Sequence, residues 1–138
     1  MAENEARLVD HTYDEINAIH IFYVKDKSRK AVDVYIRYLD KIAESIADAP
    51  PPILRMVLDI RETGVFPLKY LFSKLKETNQ KYPFVPPTYV AYITDSSGDT
   101  SLINMLQYAQ SIKQTNYRQI FAPDQYDEAI AWLISKTE

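Results

Sequence analysis

Cysteine is absent from this chain of 138 residues, and glycine and histidine occur only twice each. Without cysteine the chain forms neither disulfides nor thiolate metal sites, which is typical of proteins from a reducing compartment. Two glycines are too few for a phosphate-binding P-loop or a dinucleotide-binding fingerprint. Two histidines without cysteine argue against a transition-metal site. We therefore predict no bound metal and no cofactor.

The chain also lacks a long apolar run and a strong net charge. No run approaches the ~18 apolar residues that a membrane span requires. The acidic, polar N-terminus MAENEARLVD has the pattern of neither a signal peptide nor a transit peptide. A formal net charge of −3 argues against nucleic acid or an anionic lipid surface as a partner. We expect a cytoplasmic protein.

The residues that are present have the balance of a globular domain, with 46% hydrophobic and 25% charged residues. A chain of this length can bury a sizeable core without cross-links. We predict a single domain over residues 1–138, in which residues 1–6 are a flexible N-terminus.

Strand-like segments recur along the chain as short runs rich in β-branched and aromatic residues. They are predicted at Ile16–Val24, Ile53–Ile60, Thr88–Ile93 and Tyr117–Phe121. A stretch at Arg7–Val9 is predicted to pair with the first of them as a hairpin arm. The middle two runs are almost continuously apolar, as in strands that helices cover on both faces of a parallel sheet.

Helix-like segments follow each of these strands, with apolar residues at helical spacing. Asp26 or Ser28 is predicted to cap the first helix, which ends before three prolines that begin at Pro50. Pro67 is predicted in the first turn of the second helix, and Asp124 as the cap of the last. The apolar stripe of the third helix is Leu102, Leu106, Ala109 and Ile112.

Strands that alternate with helices through short links predict an α/β fold with right-handed crossovers. The sheet is expected to be mostly parallel, with four or five strands and about four helices. The N-terminal arm would add one antiparallel strand to it.

Three segments resemble the STAS domain, the fold of anti-sigma factor antagonists and of the cytoplasmic tails of sulphate transporters. They are the strand RMVLDIRETG, the helix that Pro67 begins, and the C-terminal QIFAPDQYDEAIAWLIS. The last, with Ala129, Trp132 and Leu133, resembles a STAS-like branch that shares a fold with CRAL-TRIO lipid-exchange domains. The resemblance implies a non-enzymatic bacterial regulatory module.

The stretch TDSSGDTSL, Thr94 to Leu102, contains the letters of that family's phosphorylation switch. In phospho-regulated STAS proteins, however, Asp-Ser-Ser-Gly follows the Leu-Asp-Leu strand. Here that loop runs from Arg61 to Lys69 and contains no serine. We therefore predict no regulation by phosphorylation at the usual loop, and a helix cap at the serines one βα unit later.

The same loops lie at the carboxyl edge of the predicted sheet, where ligands of open α/β sheets bind. Free N–H groups at a helix start can hold an anion there, which is the alternative to simple capping. The candidate anion or ligand residues are Ser96, Ser97, Thr100, Asp59, Arg61 and Thr63.

The chain has eleven tyrosines, an unusually high number. Packing at the edge of the core is the common explanation, since the ring is apolar and the hydroxyl can reach water. Tyrosine is also enriched at protein interfaces. Tyr35 and Tyr38, which flank the stripe of the first helix, are the candidates for an interface with a partner protein or a second copy.

No catalytic constellation is visible, because the chain has no nucleophile elbow and no acidic pair that would serve a phosphorylated aspartate. Two hypotheses remain open. The first is a non-enzymatic STAS-like regulatory or protein-binding module. The second is a carrier or binding protein for an apolar small molecule or lipid, favoured by Val65 and Phe66, with Phe84 and Val85 nearby.

Overall fold

The chain folds around one five-stranded sheet that carries helices on both faces. A computed structural model describes residues 7–64, 66–95, 104, 106–107 and 116–137. The strands are β1 (Val9–Asp14), β2 (Ile19–Val24), β3 (Leu54–Asp59), β4 (Thr88–Ile93) and β5 (Asn116–Phe121). The helices that the described residues cover from end to end are α1 (Arg29–Ser45), α2 (Leu68–Lys81) and α3 (Tyr126–Ser135), which a 3-10 turn at Pro123–Gln125 precedes.

The strands lie in the order β1-β2-β3-β4-β5, with β1 antiparallel to β2 and all other neighbours parallel. The predicted α/β class, the mostly parallel sheet and the antiparallel N-terminal arm are confirmed. Each parallel strand is followed by its immediate neighbour, so every crossover steps in the same direction. Right-handed crossovers of that kind place their helices on one face of the sheet.

The two faces of the sheet therefore bury two separate cores. The face that α1 and α2 cover is called the helical face here, as distinct from the α3 face. Its buried residues include Phe22, Val24, Val32, Ile36, Met56, Leu58, Leu71, Phe72 and Val90. On the α3 face they are Ile19, Val57, Ala91, Ile93, Phe121, Ala129 and Leu133. Because β3 and β4 contribute to both cores, their sequences read as continuous apolar runs.

The β1–β2 hairpin departs from the predicted boundaries. Ile16 and Asn17 lie in the turn, because the Asp14 carboxylate accepts hydrogen bonds from their backbone N–H groups at 3.1 and 3.2 Å. Ala18 closes the turn with a positive φ of 55°. The arm is Val9–Asp14 rather than a stretch that ends at residue 9. As an edge strand with one exposed face, it lacks the apolar run that marks an inner strand.

The helix starts follow local capping chemistry. Ser28 Oγ accepts a hydrogen bond from the Ala31 N–H at 3.3 Å, and Asp26 in turn accepts the Ser28 hydroxyl hydrogen. Pro67 directly precedes α2, and its carbonyl accepts the hydrogen bond from the Leu71 N–H at 2.9 Å. The predicted cap Asp124 is wrong. It lies inside the 3-10 turn, where the Gln125 side chain instead accepts the Ala122 N–H at 2.9 Å.

The predicted third helix lies mostly outside the described residues, as do residues 1–6. Its described residues Asn104, Leu106 and Gln107 are helical, and Leu106 packs against the core of the helical face. Within the described part of the chain, no helix has the length and apolar character to cross a membrane.

The Arg55 side chain joins two segments of the chain at the amino edge of the sheet. Its guanidinium donates at 2.7 Å to the Asn17 carbonyl in the hairpin turn and at 2.7 Å to the Lys136 carbonyl after α3. These contacts join segments that are 38 and 81 residues away in sequence. Arg55 therefore holds α3 and the hairpin turn in place relative to the sheet.

Candidate functional site

The carboxyl edge of the sheet carries an ion pair at the end of β3. Asp59 is only 3% exposed, and both of its carboxylate oxygens accept hydrogen bonds from the Arg61 guanidinium, at 2.8 to 3.1 Å. The Arg61 backbone N–H adds a fourth contact at 3.2 Å. The Asp59 carboxylate raises the pKa of Arg61 by this hydrogen bonding. The two charges neutralise each other, so this pair offers an incoming anion little net attraction.

Two tyrosines flank this ion pair. Tyr23 hydrogen-bonds the Glu62 side chain, and this contact raises the pKa of Tyr23. Burial raises the pKa of Tyr126, and the Asp59 charge adds to the effect. Both phenols stay protonated at neutral pH, and the single O–H group of Tyr23 is already used in its hydrogen bond with Glu62.

The structure brings only part of the predicted anion site together. Asp59 and Arg61 pair with each other, while the Thr63 hydroxyl donates to the Gly64 carbonyl at 3.1 Å. Ser96, Ser97 and Thr100 lie outside the described residues. The anion site stays a prediction, and the contacts of Asp59, Arg61 and Thr63 show no arrangement built around a shared ligand.

The two tyrosines predicted to form an interface lie in different environments. Tyr35 is only 7% exposed and packs against Phe22 and Phe66, with ring centroids 5.2 and 5.7 Å away. Its side chain therefore offers a partner little surface. Tyr38 is half-buried and tilts against the His11 ring at 5.1 Å, with Lys41 Nζ 5.9 Å from its centroid. Of the two, Tyr38 has the side chain that a partner can reach.

A histidine pair joins the hairpin strands on the helical face. His11 Nε2 and His20 Nδ1 are 3.1 Å apart, and their rings stack at 5.3 Å between the rings of Phe22 and Tyr13. Burial, with a smaller contribution from His11, lowers the pKa of His20 to about 4. Burial also lowers the pKa of His11. Both rings are thus neutral at physiological pH, one donating and the other accepting.

A partly enclosed cavity of about 80 Å³ lies between α1, α2 and strands β3 to β5. Its walls are mostly apolar side chains from both helices and the sheet: Leu39, Ile42, Ala43, Leu54, Met56, Leu58, Leu71, Phe72, Leu75, Val85 and Val90. A single buried water needs only roughly 10–15 Å³ of such space. The cavity is therefore large enough for a small organic molecule.

Polar side chains also line this cavity, from α1, the C-terminal part of α2, β4 and β5. They are Tyr35, Thr78, Asn79, Tyr82, Thr88, Tyr92, Asn116 and Arg118. Parallel pairing sets Thr88 beside Asn116 and Val90 beside Arg118. Asn116 Oδ1 is buried and has no hydrogen-bond partner among the described residues. An apolar space with a few convergent polar groups is the usual form of a small-molecule site.

The apolar residues that motivated the carrier hypothesis separate in the structure. Phe66 is 3% exposed and belongs to the core, whereas Phe84 is 41% exposed. Val85 lines the cavity, and Val65 lies outside the described residues. They do not form one shared patch, and Val85 alone among those described contributes to the cavity.

A second, polar groove runs between the outer surfaces of α1 and α2. Charged and hydroxyl side chains line it and satisfy one another, as in the hydrogen bond from Tyr70 to Asp33 and from Thr78 to Asp40 at 3.3 Å. Lys74 and Glu77 form an ion pair at 3.7 Å along the same rim. The groove is a solvated surface with charges of both signs.

Sequence reasoning missed Asn116 and Arg118 because β5 looks like an ordinary short strand. One signal was present: a strand alternates its side chains between faces, so residues 116, 118 and 120 share one side. In β5 that side holds Asn116, Arg118 and Ile120, two polar residues on a face that elsewhere buries apolar core. The cavity itself depends on distant helices and leaves no local signal.

Comparison with known proteins gives no match, whether to family models, to curated proteins or to solved structures. Among the described residues, no three histidine, aspartate or glutamate side chains cluster in a way that could hold a metal ion.

Proposed function

We propose that this chain is a non-enzymatic STAS-like module that binds a small apolar molecule in the cavity beneath α1 and α2. The observation that supports this proposal most directly is the cavity itself, about 80 Å³ of mostly apolar space that reaches polar groups on β5. The resemblance to STAS-like and CRAL-TRIO-related sequences at the C-terminus supports a binding role. The closed Asp59–Arg61 pair supports a non-enzymatic one, since it leaves neither group free to act on a substrate.

An unfilled cavity of this size is costly for a protein interior. Protein cores pack as densely as organic crystals, with few voids larger than a water molecule. A ligand that fills the space recovers contacts with the walls, so binding and stabilisation should go together.

Native mass spectrometry of gently purified protein tests this proposal directly. We expect an added mass from a co-purified small molecule, and a rise in melting temperature when apolar compounds are added to stripped protein. An apo mass without any thermal shift across the panel would contradict the proposal.

Variants that fill the cavity test whether the thermal shift arises from binding there. Ala43→Leu places a larger side chain into the cavity wall, and Val90→Leu does so from the sheet. Both should abolish the ligand-induced thermal shift. Ala131→Leu, at an exposed position of α3, adds the same volume away from the cavity and should leave the shift unchanged.

A second candidate function is regulation through a partner protein, which the STAS resemblance favours. The observation in its favour is the charged groove between α1 and α2, since charges of both signs on a rim serve partner selection. Affinity capture with a candidate sigma factor or anti-sigma kinase tests it. Lys74→Glu with Lys81→Glu should weaken such a complex, and no change in affinity would count against this surface.

A further inference from the structure

We propose that the cavity ligand is a small apolar carboxylic acid whose carboxylate binds Arg118 and whose neighbouring hydroxyl or N–H group donates to Asn116. This inference rests on the proposed binding function and names its ligand class. The apolar body of the ligand would lie among Met56, Leu71 and Phe72, which line the same cavity.

The Arg118 guanidinium is the positive charge that would favour an acid as the ligand. Arg118 lies on β5, lines the cavity, and has no carboxylate within ion-pair distance among the described residues. The one hydrogen bond of its guanidinium within that part is a long 3.4 Å contact to the Asn116 carbonyl. Arg61 provides the contrast, because Asp59 already neutralises it. A half-buried guanidinium at the wall of an apolar cavity is a strong site for a carboxylate, which it can hold through two parallel hydrogen bonds.

Two phenols lie close to this charge. Tyr35 interacts electrostatically with both Tyr92 and Arg118, and burial raises its pKa well above the ordinary value. It therefore remains a neutral donor at any physiological pH. Tyr35 and Tyr92 line the cavity together with Arg118, so the carboxylate has hydroxyl donors beside the guanidinium.

Asn116 adds a requirement for a donor on the ligand. Its Oδ1 is buried and unpaired among the described residues, although a buried acceptor without a hydrogen bond is costly. Asn116 and Arg118 are two residues apart on one strand, so their side chains meet the cavity side by side. A hydroxyl or N–H group next to the carboxylate can reach Asn116 while the carboxylate stays on Arg118.

The volume limits the apolar body. About 80 Å³ is several times the space that one water needs, but it is about half of the roughly 150 Å³ that holds benzene in an engineered apolar cavity, so it suits a short chain rather than a ring. A two-tailed lipid is too large for it. The ligand class is therefore a short-chain acid, not an aromatic acid or a membrane lipid.

Three matched probes separate the contacts: 2-hydroxy-3-methylbutanoate, 3-methylbutanoate without the hydroxyl, and 3-methylbutanamide without the charge. Their dissociation constants would be measured by calorimetry on stripped full-length protein. We expect 3-methylbutanoate to bind at least about tenfold more tightly than the amide, because a charged hydrogen bond is lost in the latter. We expect 2-hydroxy-3-methylbutanoate to bind more tightly than 3-methylbutanoate.

Variants assign each preference to a residue. Arg118→Met should remove the acid-over-amide preference, while Arg118→Lys should keep part of it. Asn116→Leu should remove the gain that the hydroxyl gives. Arg7→Met, which deletes the same charge at an exposed position, should change neither.

The outcomes distinguish this inference from the proposed function. If acid and amide bind equally well, the cavity binds apolar molecules but the assigned ligand class is wrong. If acids bind preferentially and Arg118→Met leaves that preference intact, the assigned residue is wrong and so is the inference. If none of the three probes binds and no compound in a panel of small apolar molecules gives a thermal shift, the proposed function fails together with it.

Discussion

Acidification should destabilise this protein through its histidine pair. His11 and His20 share one hydrogen bond of 3.1 Å, which requires one ring nitrogen to act as an acceptor. A proton on the acceptor removes that bond and places a charge among the rings of Phe22, Tyr13 and Tyr38. Protonation of the histidine pair is therefore less favourable in the folded state than in the unfolded chain.

The magnitude follows from the lowered pKa of His20, about 4 in the folded protein against the ordinary 6.5. Between these values the unfolded chain binds more protons than the folded one, so stability rises with pH there. The stability is fully present above the unfolded pKa and is lost as the pH falls towards the folded one. At pH 4.5 the linkage relation gives a loss of about 2.5 kcal/mol, an upper limit because solvent partly reaches the ring.

Denaturant unfolding at pH 7.5 and pH 4.5 measures this loss. The reference is the double variant His11→Phe, His20→Phe, which keeps two stacked rings but cannot titrate. Carboxylate effects are common to both proteins and cancel in the difference. We expect the wild type to lose about 2 kcal/mol more than the variant over this interval. Equal losses in both proteins, within about 0.5 kcal/mol, would refute the reasoning, since additive effects agree to that precision.

Three further predictions concern the local contacts that hold the fold. Arg55→Met leaves two backbone carbonyls without their donor and should lower the free energy of unfolding by about 2–3 kcal/mol in denaturant titrations, whereas the exposed control Arg7→Met should change it little; equal effects would contradict the role assigned to Arg55. Ala18→Gly relieves the left-handed backbone at φ 55° and should stabilise the hairpin by at most about 1 kcal/mol, visible as a higher melting temperature; a lower one would argue against this turn geometry. Ser28→Ala removes the cap of α1 and should cost about 1 kcal/mol, with Lys27→Ala as the neutral neighbour.

The elements that were predicted well are those with local causes. β4 has its predicted bounds, Thr88–Ile93, because an apolar run between turn residues marks a strand covered on both faces. α1 begins after Ser28, because a side-chain oxygen three residues before an N–H is enough to cap it. The wrong cap at Asp124 has a local cause as well. A 3-10 turn stands between β5 and α3, and Gln125 rather than an acid satisfies the chain there.

The candidate site could be predicted only in part. The carboxyl edge was located from strand order, and Asp59 and Arg61 do meet there. Their mutual pairing was not predictable from spacing, because it depends on where the loop directs the guanidinium. Tyr35 was predicted at a surface, since a helical stripe does not show how far its flanks are covered. In the structure Phe22 and Phe66 cover it.

The sequence by itself determined the class of the fold. The alternation of apolar strands and amphipathic helices can be recognised from the spacing of apolar residues and from helix-capping residues, which are close together in the chain. The sequence also determined that the loop of residues 61–69 after β3 contains no serine, since that is a matter of counting residues. Only the tertiary structure decided where the cavity lies and which polar groups reach it. Asn116 and Arg118 come from β5, while Leu71 and Phe72 come from a helix more than forty residues earlier. These residues come together because of the strand order and because all crossovers step in one direction. No local sequence pattern indicates either of these features.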